Sequence, residues 1–263
     1  MSTRFTRALL RRPGQSFAAG LTTSGEGAPD QGRALAQHAA SAEALASLGL
    51  SLTVLEADEG FPDGVFVEDT AVVAAGAAMI TRPGAPSRAG ETAVIAQALS
   101  GVFPNPARIA TPGTLDGGDV CETDDIVLIG LSERTNVEGA RQLAAHLAAL
   151  GRPSEVVDAL GVEGLLHLKS GISYLGDGRL AVDPRVAHLP AFARFERVRV
   201  DLQEAYAANC VRVNDRVLVA KGYPRFAERL DRLGYRPLLL DVSEFRKMDV
   251  GLSCLSIRYA GVG

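Results

Sequence analysis

Three stretches of the chain align without a gap: LASLGLSLTVLE (45–56), LAALGRPSEVVD (147–158) and LDRLGYRPLLLD (230–241). Each reads Leu-x-x-Leu-Gly, then a strand-like run, then an acid seven positions after the glycine. The residues ahead keep helical spacing, as in Ala140, Leu143, Ala144, Leu147 and Leu150. A glycine just past the last periodic leucine is a helix C-cap signal. The unit is therefore helix, glycine turn, buried strand, and its recurrence points to a repeat architecture. Weaker copies stand at AQALSGVFPNPARIA and AFARFERVRVDL.

Between the units lie four paired strand-like runs, each with a polar or glycine turn: TAVVAAGAAMITRPG, DVCETDDIVLIGLSERTN, GISYLGDGRLAVDPRV and NCVRVNDRVLVAKGYP. Each predicts a hairpin. A fifth forms if CLSIRY at the end of the chain pairs with TRALLRR at its start. That pairing closes a ring of five ββαβ units, and radial repetition removes long free sheet edges. An open α/β sheet is the alternative, but the ungapped matches and the two leftover terminal strands favour the ring. It is read as one domain over residues 1–263, with no linker.

Composition narrows the partners. The formal net charge of −4 is mixed along the chain, which argues against nucleic acid and anionic membrane surfaces. Three cysteines with no CxxC spacing argue against a disulfide framework and for a reducing compartment. The N-terminus lacks the apolar core of a signal peptide, and no segment approaches the ~20 apolar residues of a membrane span. A cytoplasmic monomer or homodimer acting on a small molecule is expected.

The repeat register makes a chemical statement. Twenty positions after the three capping glycines stand Asp69, Gly171 and Cys254. All three are expected at the first strand of a hairpin, hence at equivalent places around one axis. Glu68 and His167 lie beside them, and TLDGGDV brings Asp116 and Asp119 close to the same register. A thiol, an imidazole and several carboxylates should converge on one mouth, with Cys254 opposite Asp69 and beside His167. Cys121 and Cys210, inside strand-like runs, read as packing. His38 and His146 read as helix residues and His188 as an exposed loop residue. His167 is preferred as general acid and base, and the convergent groups as what activates Cys254. Glu68 and Asp69 open an apolar strand, where unpaired carboxylates are costly. Buried acids facing a planar cation with paired N–H donors suit a guanidinium or amidinium substrate.

FPDGVFVEDTAVV, AMITRPGAPSRAGE, TPGTLDGGDV, GLSERTNVEGARQL, LLHLKSGISYL, YAANC and LSCLSIR, in this order over nearly the whole chain, resemble the dimethylarginine dimethylaminohydrolase family of the pentein (guanidine-modifying) superfamily. The resemblance implies a five-bladed α/β propeller, in agreement with the repeat count. It implies that Cys254 attacks the guanidinium carbon of a methylated arginine. His167 would protonate the departing amine and then activate water against an S-alkylthiouronium intermediate, with Asp116 orienting the histidine. Glu68 and Asp69 would hold the guanidinium. Leu21, Asp63, Phe66, Arg88, Arg134 and Met248 match substrate-contacting positions, the two arginines suiting the substrate carboxylate. Relatives carry smaller branched residues at Met248, a departure that alters the fit around the substrate.

The chemistry implied needs no metal or organic cofactor, and the sequence holds no HExxH, CxxC, Walker A or GxGxxG in a βα context. Residues 13–30, rich in small residues and without periodicity, read either as a loose connection or as a glycine-hinged lid with Leu21 touching substrate. Arginine deiminases are the nearest alternative. In that branch an aspartate stands two residues after the catalytic histidine, where this chain has Lys169. A non-catalytic ring, as in the pentein-fold ribosome-binding factor, would need neither Cys254 nor His167.

Overall fold

The computed structural model describes residues 4–261. Its fifteen strands are β1 (Arg7–Arg11), β2 (Ser51–Leu55), β3 (Ala71–Ala74), β4 (Ala77–Ile80), β5 (Ala107–Arg108), β6 (Val120–Glu122), β7 (Val127–Leu131), β8 (Ser154–Asp158), β9 (Ile172–Gly176), β10 (Arg179–Val182), β11 (Glu196–Arg199), β12 (Val211–Val213), β13 (Arg216–Ala220), β14 (Pro237–Leu240) and β15 (Ile257–Tyr259). They form five three-stranded sheets of one pattern. In each, the middle strand pairs antiparallel with its hairpin partner and parallel with the strand reached through the helical segment, as β7 does with β6 and β8. The terminal sheet follows the same rule: β1 pairs antiparallel with β15, Arg7 opposite Tyr259, and parallel with β2.

The glycine signal has the expected geometry. The helices Gln31–Ser47, Val137–Ala149 and Pro224–Arg232 end at Leu48, Leu150 and Leu233. Gly49, Gly151 and Gly234 follow with φ of 86°, 71° and 87°, the left-handed stop that an L side chain adopts at a cost. Asp30 and Asn136 cap the starts of the first two helices by accepting from the backbone N–H of Arg33 and Gly139. The weak copies are the helix Thr92–Ser100 and a single 3₁₀ turn at Pro190–Arg194.

Five apolar clusters close the ring, one between each pair of neighbouring sheets. Leu9, Val67, Ile80 and Leu99 join the first unit to the second; Met79, Val127, Leu143 and Leu147 join the second to the third. Leu128, Ile172, Leu180 and Phe192 fill the next interface, and Ala181, Val217, Val219 and Phe226 the one after it. Ala8, Leu10, Val213 and Phe245 return to the start. Each middle strand is thus buried on both faces and sends alternate residues into two different cores. Leu128 points to one neighbour, Val127 and Ile129 to the other. That explains why these strands read as unbroken apolar runs rather than as alternating ones. Each fully buried Leu, Ile or Val contributes roughly 1.5–3 kcal/mol, so closure rests on five comparable interfaces.

Candidate active site

Immediately before the first strand of every sheet the chain makes a short helical turn: Val67–Thr70, Gly117–Asp119, Leu168–Gly171, Leu202–Ala208 and Ser253–Leu255. Asp69, Gly171 and Cys254 lie in these turns rather than in the strands where the register count put them. The correction is physical. A strand would bury alternate side chains in the inter-sheet cores, whereas a turn at the strand's start presents polar groups to the axis. Glu68 and Asp69 accordingly belong to a turn and do not open β3.

The turns pack close. An added Cβ at Gly117 would lie 2.0 Å from the Glu68 carbonyl oxygen, and one at Gly118 would lie 2.8 Å from both Asp69 Oδ1 and the His167 ring. The glycine pair of TLDGGDV is what lets an acid turn and the histidine approach each other. His167 Nε2 sits 3.1 Å from Asp116 Oδ2 and 4.0 Å from Asp69 Oδ1. Asp116 is fixed in turn by the Gly84 N–H, 2.8 Å from its Oδ1. Asp119 does not touch the imidazole in this network; it accepts from the Leu168 N–H and from the Ser132 and Thr135 hydroxyls, and so holds the turn that follows His167.

Burial alone would depress His167, but the carboxylates of Asp69, Asp119 and Asp116 outweigh it and hold the imidazole up at about 9. For Asp69 the order is reversed: burial favours the neutral acid, yet His167, Arg88 and the Gly118 N–H bring it down to about 2. Cys254 is buried beside Glu68 and Asp69, and burial with those two charges pushes its thiol up to about 12. The acids therefore do not activate the resting thiol, contrary to the sequence reading; at neutral pH the site pairs a neutral thiol with an imidazolium. Asp69, Asp116 and His167 also form the one group of potential metal ligands close enough together among the described residues. Arg88 on Asp69 and the high proton affinity of His167 argue that this group holds protons and cations of organic kind.

A cavity of about 20 Å³ lies over His167. Leu21, Asp63, Phe66, Asp69, Arg88, Arg134, Met248 and His167 line it, with Leu166 and Val250. Seven of the eight residues expected to contact substrate thus share one wall. Glu68 is the exception. Its carboxylate accepts from Lys169 Nζ at 2.7 Å, Arg258 Nη2 at 3.0 Å and Ser253 Oγ at 2.6 Å, and it faces a separate cavity of about 390 Å³ on the ring axis. Asp69 faces the pocket over His167, whereas the two cations on Glu68 lie on the side of that axial cavity. Cys121 and Cys210 line that same cavity, with thiols raised by burial to about 11 and 12.

Arg88 also departs from expectation. Its guanidinium is buried and fully engaged, Nη1 on Asp69 Oδ2 at 2.6 Å, Nε and Nη2 on Glu91, and Nη2 on the Phe66 carbonyl at 3.0 Å. It is not turned outward toward a ligand carboxylate. Arg134 is half-buried at the rim.

The 13–30 segment is tied down. A 3₁₀ turn spans Gln15–Ala19, the Leu21 N–H donates to Asp63 at 3.0 Å, and Ser24 Oγ donates to the Lys247 carbonyl at 2.6 Å. Thr22 and Thr23 bond Asp249. Leu21 itself stays 43% exposed. His38 and His146 lie in helices and His188 is exposed, as the sequence suggested. Sequence reasoning did not find Glu91, Ser253 or Asn209. The motif YAANC contains the last, but the unit before it has no capping glycine from which to count its register.

An arginine deiminase family model matches residues 65–213. Over 256 residues the chain is 43% identical to the N(G),N(G)-dimethylarginine dimethylaminohydrolase of Pseudomonas aeruginosa, covering 97% of this chain and 100% of that one. The Streptomyces coelicolor protein of the same name is 39% identical over 96% of each chain. Among solved structures, a cysteine-to-serine variant of the Pseudomonas enzyme complexed with citrulline superposes with a TM-score of 0.94 at 43% identity, over 97% of this chain and all of the other. The N-terminal domain of a cyanobacterial arginine dihydrolase, at 19% identity and a TM-score of 0.85 over 97% of this chain and 98% of that one, shares the fold.

Proposed function

The chain belongs to the dimethylarginine dimethylaminohydrolase family, and from that premise we propose how its own residues hydrolyse Nω-methylated arginines to citrulline and dimethylamine or methylamine. The observation that carries the reading is the imidazolium of His167, held protonated by buried carboxylates beside a pocket that Asp69 faces. A general acid of that kind is what an alkylamine leaving group requires. Cys254 is the nucleophile. Its thiol is held neutral by burial and by Glu68 and Asp69, so a bound guanidinium would offset those charges and release the thiol proton to water.

The thiolate then adds to the guanidinium carbon. His167 gives its proton to the departing nitrogen, the C–N bond breaks, and an S-alkylthiouronium remains on Cys254. Neutral His167 next takes a proton from water, whose oxygen adds to the same carbon. Breaking the C–S bond returns the thiolate, and loss of the added hydroxyl's proton to solvent leaves citrulline. Asp116 orients the imidazole from 3.1 Å. Asp63, Arg134, Leu21, Phe66 and Met248 form the wall for the amino acid end of the substrate, with Arg134 as the arginine free to meet its carboxylate. We read the chain as one cytoplasmic catalytic domain.

A deiminase acting on unmethylated arginine is the nearest alternative, since the family model carries that description. Lys169 weighs against it. Two positions after His167 the chain presents an amine bound to Glu68, not a second acid for the terminal nitrogens. A methylated nitrogen with no N–H to donate would leave such an acid unpaired, which is costly. Purified protein should release citrulline and dimethylamine from asymmetric dimethylarginine; ammonia from arginine with comparable kcat/KM would overturn the assignment.

A further inference from the structure

No hydrogen bond links Cys254 to His167 among the described residues; the side-chain contact of the Cys254 sulfur is with Ser253 Oγ, at 3.9 Å. Cys254 lies in the turn 253–255 and His167 caps the turn 168–171, so their spacing must be set by something else. Glu68 joins both turns through side chains, Lys169 Nζ and Ser253 Oγ; one further side chain bonds the backbone of both. Asn209, 4% exposed, donates from Nδ2 to the Lys169 carbonyl at 2.9 Å and to Ser253 Oγ at 3.1 Å. Its Oδ1 accepts from the Ser253 backbone N–H at 2.9 Å. Resting on the reaction read above, we infer that Asn209 is a positioning residue that fixes the separation of nucleophile and general acid.

Three observations converge on it. The amide's orientation is determined by its partners, since the Ser253 N–H can only donate and the Lys169 carbonyl can only accept. A reversed amide would set donor against donor and acceptor against acceptor. Next, Gly251 lies against it: an added Cβ there would come within 2.5 Å of Asn209 Cγ, so the chain leading to Cys254 is shaped to receive this amide. Last, the same segment is held a second time, by Tyr206 Oη donating to the Val250 carbonyl at 2.6 Å. The 202–209 stretch therefore grips residues 250–253 at one end and the turn behind His167 at the other. Unlike the turns Val67–Thr70, Ser253–Leu255 and Leu168–Gly171 with its cap His167, it supplies neither nucleophile, acid, base nor clamp. Its contribution is the distance between the others.

Asn209 does not line the substrate cavity, which separates its effect from binding. In Asn209→Ala, kcat for asymmetric dimethylarginine should fall roughly 10²-fold, the scale for a displaced reacting group, with KM within about threefold of the parent. Asn209→Asp keeps the shape and the acceptor for Ser253 N–H but sets an oxygen against the Lys169 carbonyl. Its kcat should be low at neutral pH and recover toward acid pH, where the protonated carboxyl again donates. A folded Asn209→Ala with kcat within threefold of the parent, or a loss carried wholly by KM, overturns the inference. Should the alanine variant not fold, the aspartate variant is read alone, and a pH profile parallel to the parent's overturns it. If the parent does not turn over dimethylarginine, the proposed reaction falls instead. The bridge is then tested by the rate at which iodoacetamide alkylates Cys254, and equal rates in parent and both variants overturn it.

Discussion

Arg88 Nη1 lies 2.6 Å from Asp69 Oδ2 in a buried pair, so the carboxylate expected to hold the substrate's guanidinium already holds one of the chain's own. Arg88 is anchored by Glu91 from the other side, Nη2 to Oε2 at 2.9 Å, and the remaining Asp69 oxygen accepts from the Gly118 N–H at 2.9 Å. A ligand cation must share or displace this contact. Asp69 is consequently a hub joining Arg88, His167 and the ligand, and changing its charge should be felt at all three.

Asp69→Asn tests this. Breaking a buried pair by removing one partner costs about 3–5 kcal/mol, so the variant should lose stability on that order in chemical denaturation. The His167 imidazole, no longer beside that charge, should titrate lower than about 9, as followed by NMR of its ring protons. An unmoved midpoint would show that Asp116 and Asp119 suffice.

The rate should carry an alkaline limb. As pH rises through about 9, His167 loses the proton that the leaving amine needs, so kcat/KM should fall there. Stability moves with the same sign. A histidine whose folded pKa is raised contributes stability that is full below its unfolded value of ~6.5 and is lost as pH climbs through the folded one. The depressed Asp69 acts at the other end: its contribution is present above ~3.9 and is lost as pH falls toward about 2. His167→Gly should abolish the alkaline limb along with roughly 10²–10⁴-fold of the rate. A limb unchanged in that variant would assign it elsewhere.

Resting Cys254 should be slow to alkylate. With the thiol at about 12, iodoacetamide at pH 7 meets almost no thiolate. A small planar cation such as acetamidine, bound next to Asp69, should accelerate the reaction. Cys254→Ser should fold and be inactive, while Cys121→Ser and Cys210→Ser should retain turnover, since both thiols face the axial cavity away from His167. Acetamidine that only protects Cys254 would count against activation by the substrate's charge.

The ring was legible because three units carry their own punctuation, a left-handed glycine after a leucine-spaced helix. The strand that follows (β2, β8 or β14) is the half-exposed outer strand of its sheet and not the buried one the sequence suggested. The weak copies were harder, since Gly101 ends its helix without the left-handed turn and Pro190–Arg194 is only a 3₁₀ turn. Counting from glycines reached Asp69 and Cys254 within the correct turns, but sequence separation says nothing about which way a side chain leaves a turn. Adjacent Glu68 and Asp69 leave in different directions, one to Lys169 and Arg258, the other to Arg88 and Gly118. The same blindness hid the charge on Cys254: acids near a thiol were countable, but whether they raise or lower it depends on sign and burial. Asn209 escaped because its work is done by an amide, a group with no titration or nucleophilicity to attract notice.

The closed strap over the site gives the last prediction. A cavity of about 20 Å³ holds about one water, whereas pockets for small ligands run to ~300 Å³ or more, so the substrate cannot enter without movement of its wall. The strap is the candidate for that movement, because its bonds are exposed and local. Asp249 accepts from the Thr22 hydroxyl at 3.1 Å, from the Thr23 hydroxyl at 3.0 Å and from the Thr23 N–H, and Arg246 meets Glu26 at 2.9 Å. Met248, on the same stretch as Asp249, and Leu21, next to Thr22, both face the cavity, so unfastening the strap parts two of its walls. Asp249 has φ 60°, and Asp249→Gly removes the acceptor while leaving that backbone conformation unstrained. Hydrogen bonds to a charged group contribute about 1.5–3 kcal/mol each when sheltered; at this exposure a net loss of about 1.4 kcal/mol is expected, a tenfold rise in KM. Limited proteolysis between residues 20 and 27 should quicken in parallel, with global unfolding unchanged, because the segment contributes little to the inter-sheet cores. Faster proteolysis with an unaltered KM would mean that the strap opens without governing access to His167 and Cys254.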